Sequence, residues 1–177
     1  MPEREPLGFR PLRDEDLPLL CRWLGAPHVR EWYGPPLTAD EAAAKYGPRI
    51  RGEVPTRGFL ILYGQEPIGY IQTYRISDWP DYAVAVRLEP GAAGIDLFLG
   101  EAEFLHRGLG PEVLRRFMAE QVFTDPEVTS CVVGPAAGNR AAIRAYEKAG
   151  FRFLREAPVP GEAEPEWLMA FPRPNPD

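Results

Sequence analysis

The segment from His106 to Pro111, His-Arg-Gly-Leu-Gly-Pro, has the residue pattern with the clearest chemical content. Gly108 and Gly110 let the backbone approach a ligand closely. Pro111 suits the first turn of a helix, because its missing N–H costs nothing there. Free N–H groups and the helix dipole make such a start an anion site, beside which Arg107 adds a positive charge. A pyrophosphate fits this pattern.

Two common nucleotide motifs are excluded at this turn. A P-loop needs Gly-Lys followed by Ser or Thr, which the chain lacks. A dinucleotide fingerprint needs a third glycine near position 113, where the chain has Val113. Taken alone, the turn is equally compatible with a helix that merely begins after glycines.

The elements that must position this turn alternate between strand and helix. Hydrophobic periodicity, capping residues and turn signals predict a mixed α/β arrangement with a crossover after residue 99. The predicted elements of this half are a strand at 95–99, a helix at 111–123, a strand at 129–133, a helix capped by Asn139 and ended by Gly150, and strands at 151–155 and 167–171.

The first half is predicted with the same signals. Thr38 and Glu41 form a capping-box pattern that opens a helix ended by Gly47-Pro48. The other predicted elements are a strand at 9–12, a helix opened by Asp14 or Asp16, a loop at 32–36, a hairpin of 58–63 with 68–76, and an irregular functional loop at 77–94. We expect one domain over residues 1–177, with frayed tails at 1–8 and 172–177.

Composition limits the class of protein. The chain has 177 residues, 45% hydrophobic and 26% charged, which fits one compact globular domain. The formal net charge of −6 argues against nucleic acid and favours cationic ligands. No apolar run approaches the roughly 20 residues that span a bilayer, and the N-terminus does not resemble a secretory signal. We therefore expect no membrane partner and a cytoplasmic location.

Two cysteines and two histidines give no pattern for a metal site. Cys21 and Cys131 are isolated, and we interpret both as core residues. With His28 and His106 as the only histidines, a zinc site of the common kinds is not expected.

A second motif changes the interpretation of the glycine turn. Residues 139–151, Asn-Arg-Ala-Ala-Ile-Arg-Ala-Tyr-Glu-Lys-Ala-Gly-Phe, resemble the second signature of the GNAT acetyltransferases, and the glycine turn is similar to their coenzyme A pyrophosphate loop. The stretches LRDEDLPLLCRWL, VREWYG, EPIGYIQTY, PGAAGID and FTDPEVT resemble the aminoglycoside 6'-N-acetyltransferase branch in the same order. The resemblance implies the GNAT fold, an α/β (α+β) class with a mixed, strongly twisted sheet and helices on both faces.

The resemblance also implies acetyl-coenzyme A as co-substrate. The strand residues Leu97, Phe98 and Leu99 would bind it through their backbone. The pyrophosphate would be held by Arg107, Gly108, Leu109 and Gly110. Asn139 would contact the coenzyme, although it could equally serve only as the cap of its helix. Leu105 departs from the Gln or Arg that the family often has three residues before the first glycine.

Two catalytic residues follow from the same match. An alkyl amine with a pKa of about 10.4 must lose a proton before attack, and Asp96 matches the family's base or amine-orienting carboxylate. The alternative for Asp96 is a local cap at a strand bend. Tyr146 matches the family's acid for the departing thiolate, and its alternative is plain packing. A backbone N–H near Leu97 would stabilise the oxyanion during direct transfer in a ternary complex.

The acceptor residues implied by the resemblance are aromatic and acidic, which suits a polycationic small molecule. They are Trp32, Tyr33, Asp78, Trp79, Asp81 and Asp96, whereas Tyr46 and Tyr82 are better interpreted as core. Two departures weaken this match. Ala83 to Arg87 has lost the branch's acidic and aromatic chemistry, and Gly134 replaces an aspartate.

Three functions remain open at this stage. The first is 6'-acetylation of an aminoglycoside, with antibiotic resistance as its role. The second is acetylation of another amine, such as a siderophore hydroxylysine or a protein N-terminus. The third is a non-catalytic module that binds coenzyme A. The sequence leaves both a monomer and a homodimer open.

Overall fold

The computed structural model describes residues 4–176; Met1, Pro2, Glu3 and Asp177 lie outside the described residues. Within this range the chain forms seven strands and six α-helices. They are β1 (Leu7–Pro11), α1 (Leu17–Gly25), α2 (Pro27–Tyr33), α3 (Ala39–Ile50), β2 (Thr56–Tyr63), β3 (Glu66–Arg75), α4 (Pro80–Val86), β4 (Ala92–Leu99), α5 (Leu109–Phe117), β5 (Ser130–Val133), α6 (Arg140–Ala149), β6 (Arg152–Ala157) and β7 (Glu166–Pro172).

The strands form one mixed sheet in the order β1-β2-β3-β4-β5-β7-β6. β1 and β2 pair antiparallel, whereas β4 and β5 pair parallel, from Ala92 opposite Ser130 to Gly94 opposite Val132. β7 pairs antiparallel with both β5 and β6. The prediction of a mixed α/β arrangement is confirmed. The chain packs as two compact units, each with its own core.

The first unit comprises described residues 4–72 and 96–107. Its core gathers side chains from α1, α3, β2, β3 and β4 around Trp23, which is 1% exposed. α3 begins with the predicted capping box, in which the Glu41 N–H donates to Thr38 Oγ1 and the Thr38 N–H donates to the Glu41 carboxylate. This prediction is confirmed.

The second unit comprises described residues 73–95 and 108–176. α5 buries Val113, Leu114 and Phe117 on one face, as an amphipathic helix does. α6 is capped by Asn139 and followed by Gly150 at φ +110°, as predicted. The Arg115 guanidinium donates to the Lys148 carbonyl at 3.0 Å and so ties the two helices together.

Three local predictions were wrong because helices include residues that were predicted as loops or as a helix end. α2 starts with Pro27 at its first turn and includes Trp32 and Tyr33. α3 continues past Pro48 to Ile50, since the Arg51 N–H still reaches the Gly47 carbonyl at 3.0 Å. The predicted irregular loop at 77–94 contains α4, again opened by a proline, Pro80.

The predicted frayed tails are corrected at Leu7, Gly8, Pro172 and Arg173. Leu7 and Gly8 belong to β1 and lie opposite Tyr63 and Leu62 of β2. At the other end, β7 includes Pro172, and the Arg173 side chain donates to the carbonyls of Val128 at 2.7 Å and Phe123 at 3.0 Å. Backbone pairing therefore holds Leu7, Gly8 and Pro172 in place, and the carbonyl contacts hold Arg173, although composition alone predicted frayed ends.

The strand at the end of the sheet order, β6, is irregular. Its pairing with β7 shifts between Phe153 and Arg155, so Leu154 is an extra residue in a β-bulge. The Phe153 ring lies 4.1 Å from that of Trp167, and the Arg155 guanidinium donates to the Val86 carbonyl at 2.6 Å. Within residues 4–176, no helix has the length and apolarity needed to cross a bilayer.

Candidate active site

Asp96 belongs to a hydrogen-bonded group of side chains in the first unit. The Gln72 amide donates to Asp96 Oδ2 at 2.8 Å. The carbonyl oxygen of the same amide accepts from Arg49 Nη1 at 2.7 Å and from the Tyr70 hydroxyl at 2.8 Å. We call these four residues the Gln72 network. α3, β3 and β4 each supply a part, so the carboxylate is held by elements distant in sequence.

Aromatic contacts hold Tyr70 and Arg49 of the Gln72 network in place. Tyr70 is 2% exposed and meets Tyr46 edge to face, with ring centroids 5.6 Å apart. The Arg49 guanidinium lies 4.9 Å from the centre of the Tyr46 ring. Burial raises the pKa of both Tyr46 and Tyr70, so both hydroxyls stay protonated at neutral pH. Tyr46 is a core residue, which is the role that the sequence analysis favoured.

α2 contacts the backbone of β4 beside Asp96. The Tyr33 hydroxyl donates to the Leu97 carbonyl, and its ring meets Phe98 edge to face at 5.0 Å. One turn earlier, His28 Nε2 is hydrogen-bonded to the Leu99 carbonyl at 2.9 Å. Trp32 remains 39% exposed on the same helix. Sequence reasoning missed His28, because a lone histidine shows no pattern.

The side chain of Phe98 lies in the first unit's core, 7% exposed. Any contact of Phe98 with a coenzyme must therefore use its backbone, which is how the strand was predicted to bind it. The carbonyls of its neighbours Leu97 and Leu99 are already engaged by α2.

The glycine turn has the backbone geometry of an anion site. Gly108 caps α5 at φ +74°, a left-handed conformation that favours glycine, and a Cβ there would have no heavy atom within 4 Å. A Cβ on Gly110 would lie 3.7 Å from Ala145 of α6, so this glycine allows close helix packing. Leu109 is buried. The helix begins at Leu109, two residues before the predicted start.

Arg107 was predicted to add positive charge for a pyrophosphate. In the structure its guanidinium lies over two rings of the first unit, 5.1 Å from the centre of Phe104 and 5.9 Å from that of Tyr63. The side chain is thus held by cation–π contacts. The turn would therefore bind a phosphate through the backbone N–H groups at Gly108 and at the start of α5.

Asn139 and Tyr146 have local structural roles, helix capping and packing, which the sequence left open beside coenzyme binding and catalysis. Asn139 Oδ1 accepts from the Ala142 N–H at 3.2 Å, so Asn139 caps its helix. Tyr146 is 9% exposed and meets Phe151 edge to face at 5.7 Å. Packing therefore fixes the ring of Tyr146, and its part in catalysis stays a prediction.

The remaining predicted acceptor residues lie around the start of α4. Asp78 closes a short 3₁₀ turn, and the Trp79 ring meets Tyr74 edge to face at 6.5 Å. Asp81, in the first turn of α4, borders an open cavity of about 470 Å³ together with Arg155 and Glu156. All three acceptor residues are exposed, as binding would require.

A carboxylate that sequence reasoning missed lies beside Gly134. The Tyr82 hydroxyl donates to Glu166 Oε2 at 2.6 Å, and a Cβ on Gly134 would lie only 2.2 Å from that same oxygen. Gly134 stands where the branch has an aspartate, and the structure places the Glu166 carboxylate beside it. No local sequence signal links Tyr82 to Glu166, which are 84 residues apart.

Within residues 4–176, no group of three or more His, Cys, Asp or Glu side chains could hold a metal ion, and Cys21 and Cys131 are not disulfide-bonded. Cys131 is fully buried, and burial raises the pKa of its thiol.

Comparison with known proteins identifies the family. Residues 13–159 match the family model described as "Acetyltransferase (GNAT) domain". The aminoglycoside N(6')-acetyltransferase type 1 of Klebsiella pneumoniae is 36% identical over 151 residues, covering 83% of this chain and 74% of that protein. The lysine N-acyltransferase MbtK of Mycobacterium sp. (strain MCS) is 28% identical over 156 residues, covering 86% of this chain and 62% of that protein.

Solved structures agree with this match. The aminoglycoside acetyltransferase AAC(6')-Ib in complex with coenzyme A superposes with a TM-score of 0.86 at 33% identity, covering 95% of both chains. Its complex with coenzyme A and kanamycin gives a TM-score of 0.84 at 33% identity, again over 95% of both chains. The predicted fold and enzyme class are thereby confirmed, and the chain belongs to the GNAT acetyltransferase family.

Proposed function

We propose that this chain transfers an acetyl group from acetyl-coenzyme A to the 6'-amine of an aminoglycoside, by direct transfer in a ternary complex. The observation that carries the proposal is the Asp96 carboxylate, whose Oδ2 atom is fixed by the Gln72 amide at 2.8 Å. Similarity to proteins that act on aminoglycosides, at 36% identity, and to a structure with kanamycin, at 33%, supports the choice of acceptor. Antibiotic resistance is the biological role that this activity implies.

The residues present fit acetyl-coenzyme A, which supplies the acetyl thioester when bound. At Gly108 the left-handed backbone and the open space beside it let N–H groups of the α5 start reach a pyrophosphate. We assign the pyrophosphate to the backbone of Gly108, Leu109 and Gly110. The Arg107 guanidinium would attract the phosphates at longer range. Asn139 would cap α6 near the coenzyme. The backbone of Leu97, Phe98 and Leu99 would bind the pantetheine arm.

Asp96 would prepare the amine for attack. At pH 7 an amine with a pKa of about 10.4 is protonated and cannot act as a nucleophile. A carboxylate that accepts from the ammonium orients it and takes its proton, directly or through water. Because Gln72 holds Oδ2, the plane of the carboxylate is set before the acceptor binds.

Tyr146 would return a proton to the departing thiolate. A phenol with a pKa of about 10 and a thiol with one of about 8.5 make this transfer feasible without a strong driving force. Edge-to-face packing on Phe151 limits the motion of the Tyr146 ring, which helps to direct its hydroxyl. This role rests on the family match alone.

The acceptor would be recognised by aromatic and acidic side chains. In the first unit, Trp32 and Tyr33 expose 39% and 42% of their surface. In the second unit, Asp78, Trp79 and Asp81 are exposed at the start of α4. Aromatic faces and carboxylates are the groups that bind a sugar bearing several ammonium groups. The net charge of −6 adds long-range attraction for such a cation.

Thiol release from acetyl-coenzyme A across a panel of amines tests this function. The panel contains kanamycin, tobramycin, amikacin, polyamines, lysine derivatives and short peptides. We expect turnover confined to aminoglycosides, with mass spectrometry placing the acetyl group on the 6'-nitrogen. Binding of the coenzyme without turnover of any aminoglycoside would overturn the proposal.

One observation favours a second candidate, acylation of a lysine-type amine. The lysine N-acyltransferase MbtK is 28% identical over 86% of this chain. Turnover of lysine derivatives at a higher kcat/KM than any aminoglycoside would establish this alternative.

A further inference from the structure

The chain has two lysines, Lys45 and Lys148, among its 20 lysine and arginine residues. A lysine amine is chemically the kind of group that an N-acetyltransferase modifies, provided that it loses its proton first. Arginine cannot replace it, because the guanidinium stays protonated in proteins. The two lysines are therefore the only side-chain amines of this chain that could receive an acetyl group, and their surroundings differ.

Lys45 lies on α3 beside the Gln72 network. Its Nζ atom is 5.5 Å from the centre of the Tyr46 ring, and the Arg49 guanidinium is 4.9 Å from the same centre. Arg49 in turn donates to the Gln72 side chain at 2.7 Å, and Gln72 donates to Asp96 Oδ2 at 2.8 Å. All five residues belong to the first unit. The ammonium of Lys45 thus contacts the same ring as a member of the network that holds the proposed base.

The surroundings of Lys45 disfavour a protonated amine. Lys45 and Arg49 are four residues apart on α3, where like charges repel each other. Desolvation lowers the pKa of Lys45, the charge of Arg49 lowers it further, and the charge of Asp96 opposes both effects in part. A desolvated lysine beside a second cation is activated as a nucleophile, because more of the amine is neutral at a given pH.

Asp96 supplies the base that such an amine needs. Its carboxylate lies within electrostatic reach of the Lys45 ammonium, since it acts on that amine against desolvation and Arg49. Burial is the main reason why the pKa of Tyr46, the next residue of α3, is raised, and Asp96 contributes there as well. Lys45 is an exposed residue, so its side chain can turn towards Asp96 without unpacking the core.

We propose that Lys45 is a self-acetylation site, which takes the acetyl group of acetyl-coenzyme A beside Asp96 when no other acceptor is bound. This inference rests on the proposed function for the role of Asp96 and for the binding of the thioester along β4. The acetylated side chain is uncharged, so the modification removes one cation from beside Asp96.

The transfer to Lys45 follows the chemistry proposed for the external amine. Lys45 Nζ attacks the acetyl carbonyl carbon, so that an N–C bond forms and the C–S bond breaks. The ammonium loses two protons in all. One passes to Asp96, directly or through water, and the other goes to the departing thiolate.

Lys148 is the matched control that the chain itself supplies. It lies in the last turn of α6 and is exposed, as Lys45 is. It also follows an arginine by four residues, Arg144, so the repulsion from a like charge one turn away is common to both lysines. The two lysines differ in that Lys45 shares its unit with Asp96, whereas Lys148 belongs to the second unit.

Mass spectrometry of the full chain tests this inference. The folded chain is incubated at pH 8 with acetyl-coenzyme A and no acceptor, digested with chymotrypsin, and each lysine peptide is followed over time for the mass of one acetyl group. We expect Lys45 to be acetylated at least about tenfold faster than Lys148, because a positioned base contributes more than that. In the chain unfolded in guanidinium chloride the two rates should be equal, since the surroundings of both lysines are lost.

Two variants identify the groups that take part. Asp96→Asn removes the base, and should slow acetylation of Lys45 to the rate of Lys148 while Lys148 itself is unaffected. Lys45→Arg keeps the positive charge but removes the amine, so the release of one thiol per chain without an acceptor should disappear. The rate constant should not depend on the concentration of the chain, because the transfer takes place within one molecule. Thermal melting checks that both variants are folded.

The outcomes distinguish the inference from the proposed function. Equal rates for Lys45 and Lys148 in the folded chain, an unchanged Lys45 rate in Asp96→Asn, or a rate constant proportional to chain concentration would each overturn the inference. If kanamycin is acetylated in the same preparation, the proposed function stands in all three cases. Acetylation of Lys45 that depends on Asp96, without turnover of any aminoglycoside, would overturn the proposed function and leave the inference standing.

Discussion

The Asp96 region and the glycine turn are built in different ways. In the first unit, the Gln72 amide donates to the Asp96 carboxylate at 2.8 Å, and Arg49 and Tyr70 donate to the Gln72 carbonyl oxygen at 2.7 and 2.8 Å. In the second unit, the start of α5 presents backbone N–H groups after one glycine at φ +74°. One region is assembled from long side chains and the other from main chain.

This difference predicts how each region responds to mutation. A side-chain network loses function when any partner is removed, because a buried polar group is left without its bond. A backbone site tolerates most substitutions and fails only where a residue cannot adopt the required φ.

Asp96→Asn removes the proposed base and keeps the shape of the side chain. We expect kcat/KM for an aminoglycoside to fall about 10²- to 10⁴-fold, the usual contribution of a general base. The dissociation constant of acetyl-coenzyme A, measured by calorimetry, should stay within about twofold. A variant with near wild-type turnover would show that Asp96 is not the base.

Gln72→Leu removes the centre of the network. We expect kcat/KM to fall about tenfold or more, since one hydrogen bond to a charged group is lost. The dissociation constant of acetyl-coenzyme A should stay within about twofold, because Gln72 contacts the Asp96 carboxylate and not the glycine turn.

The matched control is Gln65→Leu, the same substitution at an exposed residue of the turn between β2 and β3. Both variants are followed by steady-state kinetics from pH 5 to 9 and by thermal melting. A kcat/KM for Gln72→Leu within about twofold of that for Gln65→Leu would reduce Gln72 to a packing role.

Gly108→Ala tests the backbone region. The left-handed conformation costs a residue with a Cβ about 1–2 kcal/mol, so we expect affinity for acetyl-coenzyme A to fall roughly five- to tenfold. A Cβ at this position meets no atom within 4 Å, so the effect comes from conformation rather than from a clash. Isothermal titration calorimetry measures the affinity.

Gly52 provides the control for this variant. It has a φ of +70° and equally open surroundings, but lies just after α3 in the first unit. Gly52→Ala should cost similar stability and leave coenzyme affinity unchanged. Equal losses of affinity in both variants would mean that strain alone, and not the anion site, explains the result.

Tyr46→Phe is expected to have the smallest effect, confined to alkaline pH. Burial raises the pKa of Tyr46 above its ordinary value of about 10. The unfolded chain therefore loses this proton first, and the stability that Tyr46 contributes below pH 10 is lost as the pH rises further. Urea unfolding at pH 8 and pH 10.5 should show a smaller decline for Tyr46→Phe than for the wild type or for Tyr63→Phe. An identical decline in all three would exclude this linkage.

The backbone region was the more predictable of the two from sequence. Its signals are local. Gly108 and Gly110 lie within three residues of the start of α5, and Asn139 lies three residues before Ala142, whose N–H donates to it. The Gln72 network joins residues 24 apart, and the Tyr82–Glu166 bond joins residues 84 apart. No local pattern specifies such pairs, because they form only when the sheet has brought the strands together.

Proline explains most of the local errors in the fold. Pro48 was predicted to help end a helix but lies inside α3, whereas Pro27 and Pro80, which carried no prediction, open α2 and α4. A proline in a first turn lacks only an N–H that would have no partner there. Distinguishing the first position of a helix from an interruption required the neighbouring packing, which the sequence does not show.

The bulge in β6 has a consequence for intermolecular association. A regular strand at the end of a sheet is a template on which another chain can pair and start to aggregate. In β6 the extra residue Leu154 interrupts the ladder, and Arg155 is turned towards the Val86 carbonyl. Phe153 and Leu154, although 47% and 45% exposed, therefore lie on an edge that a straight strand from another molecule cannot extend in register.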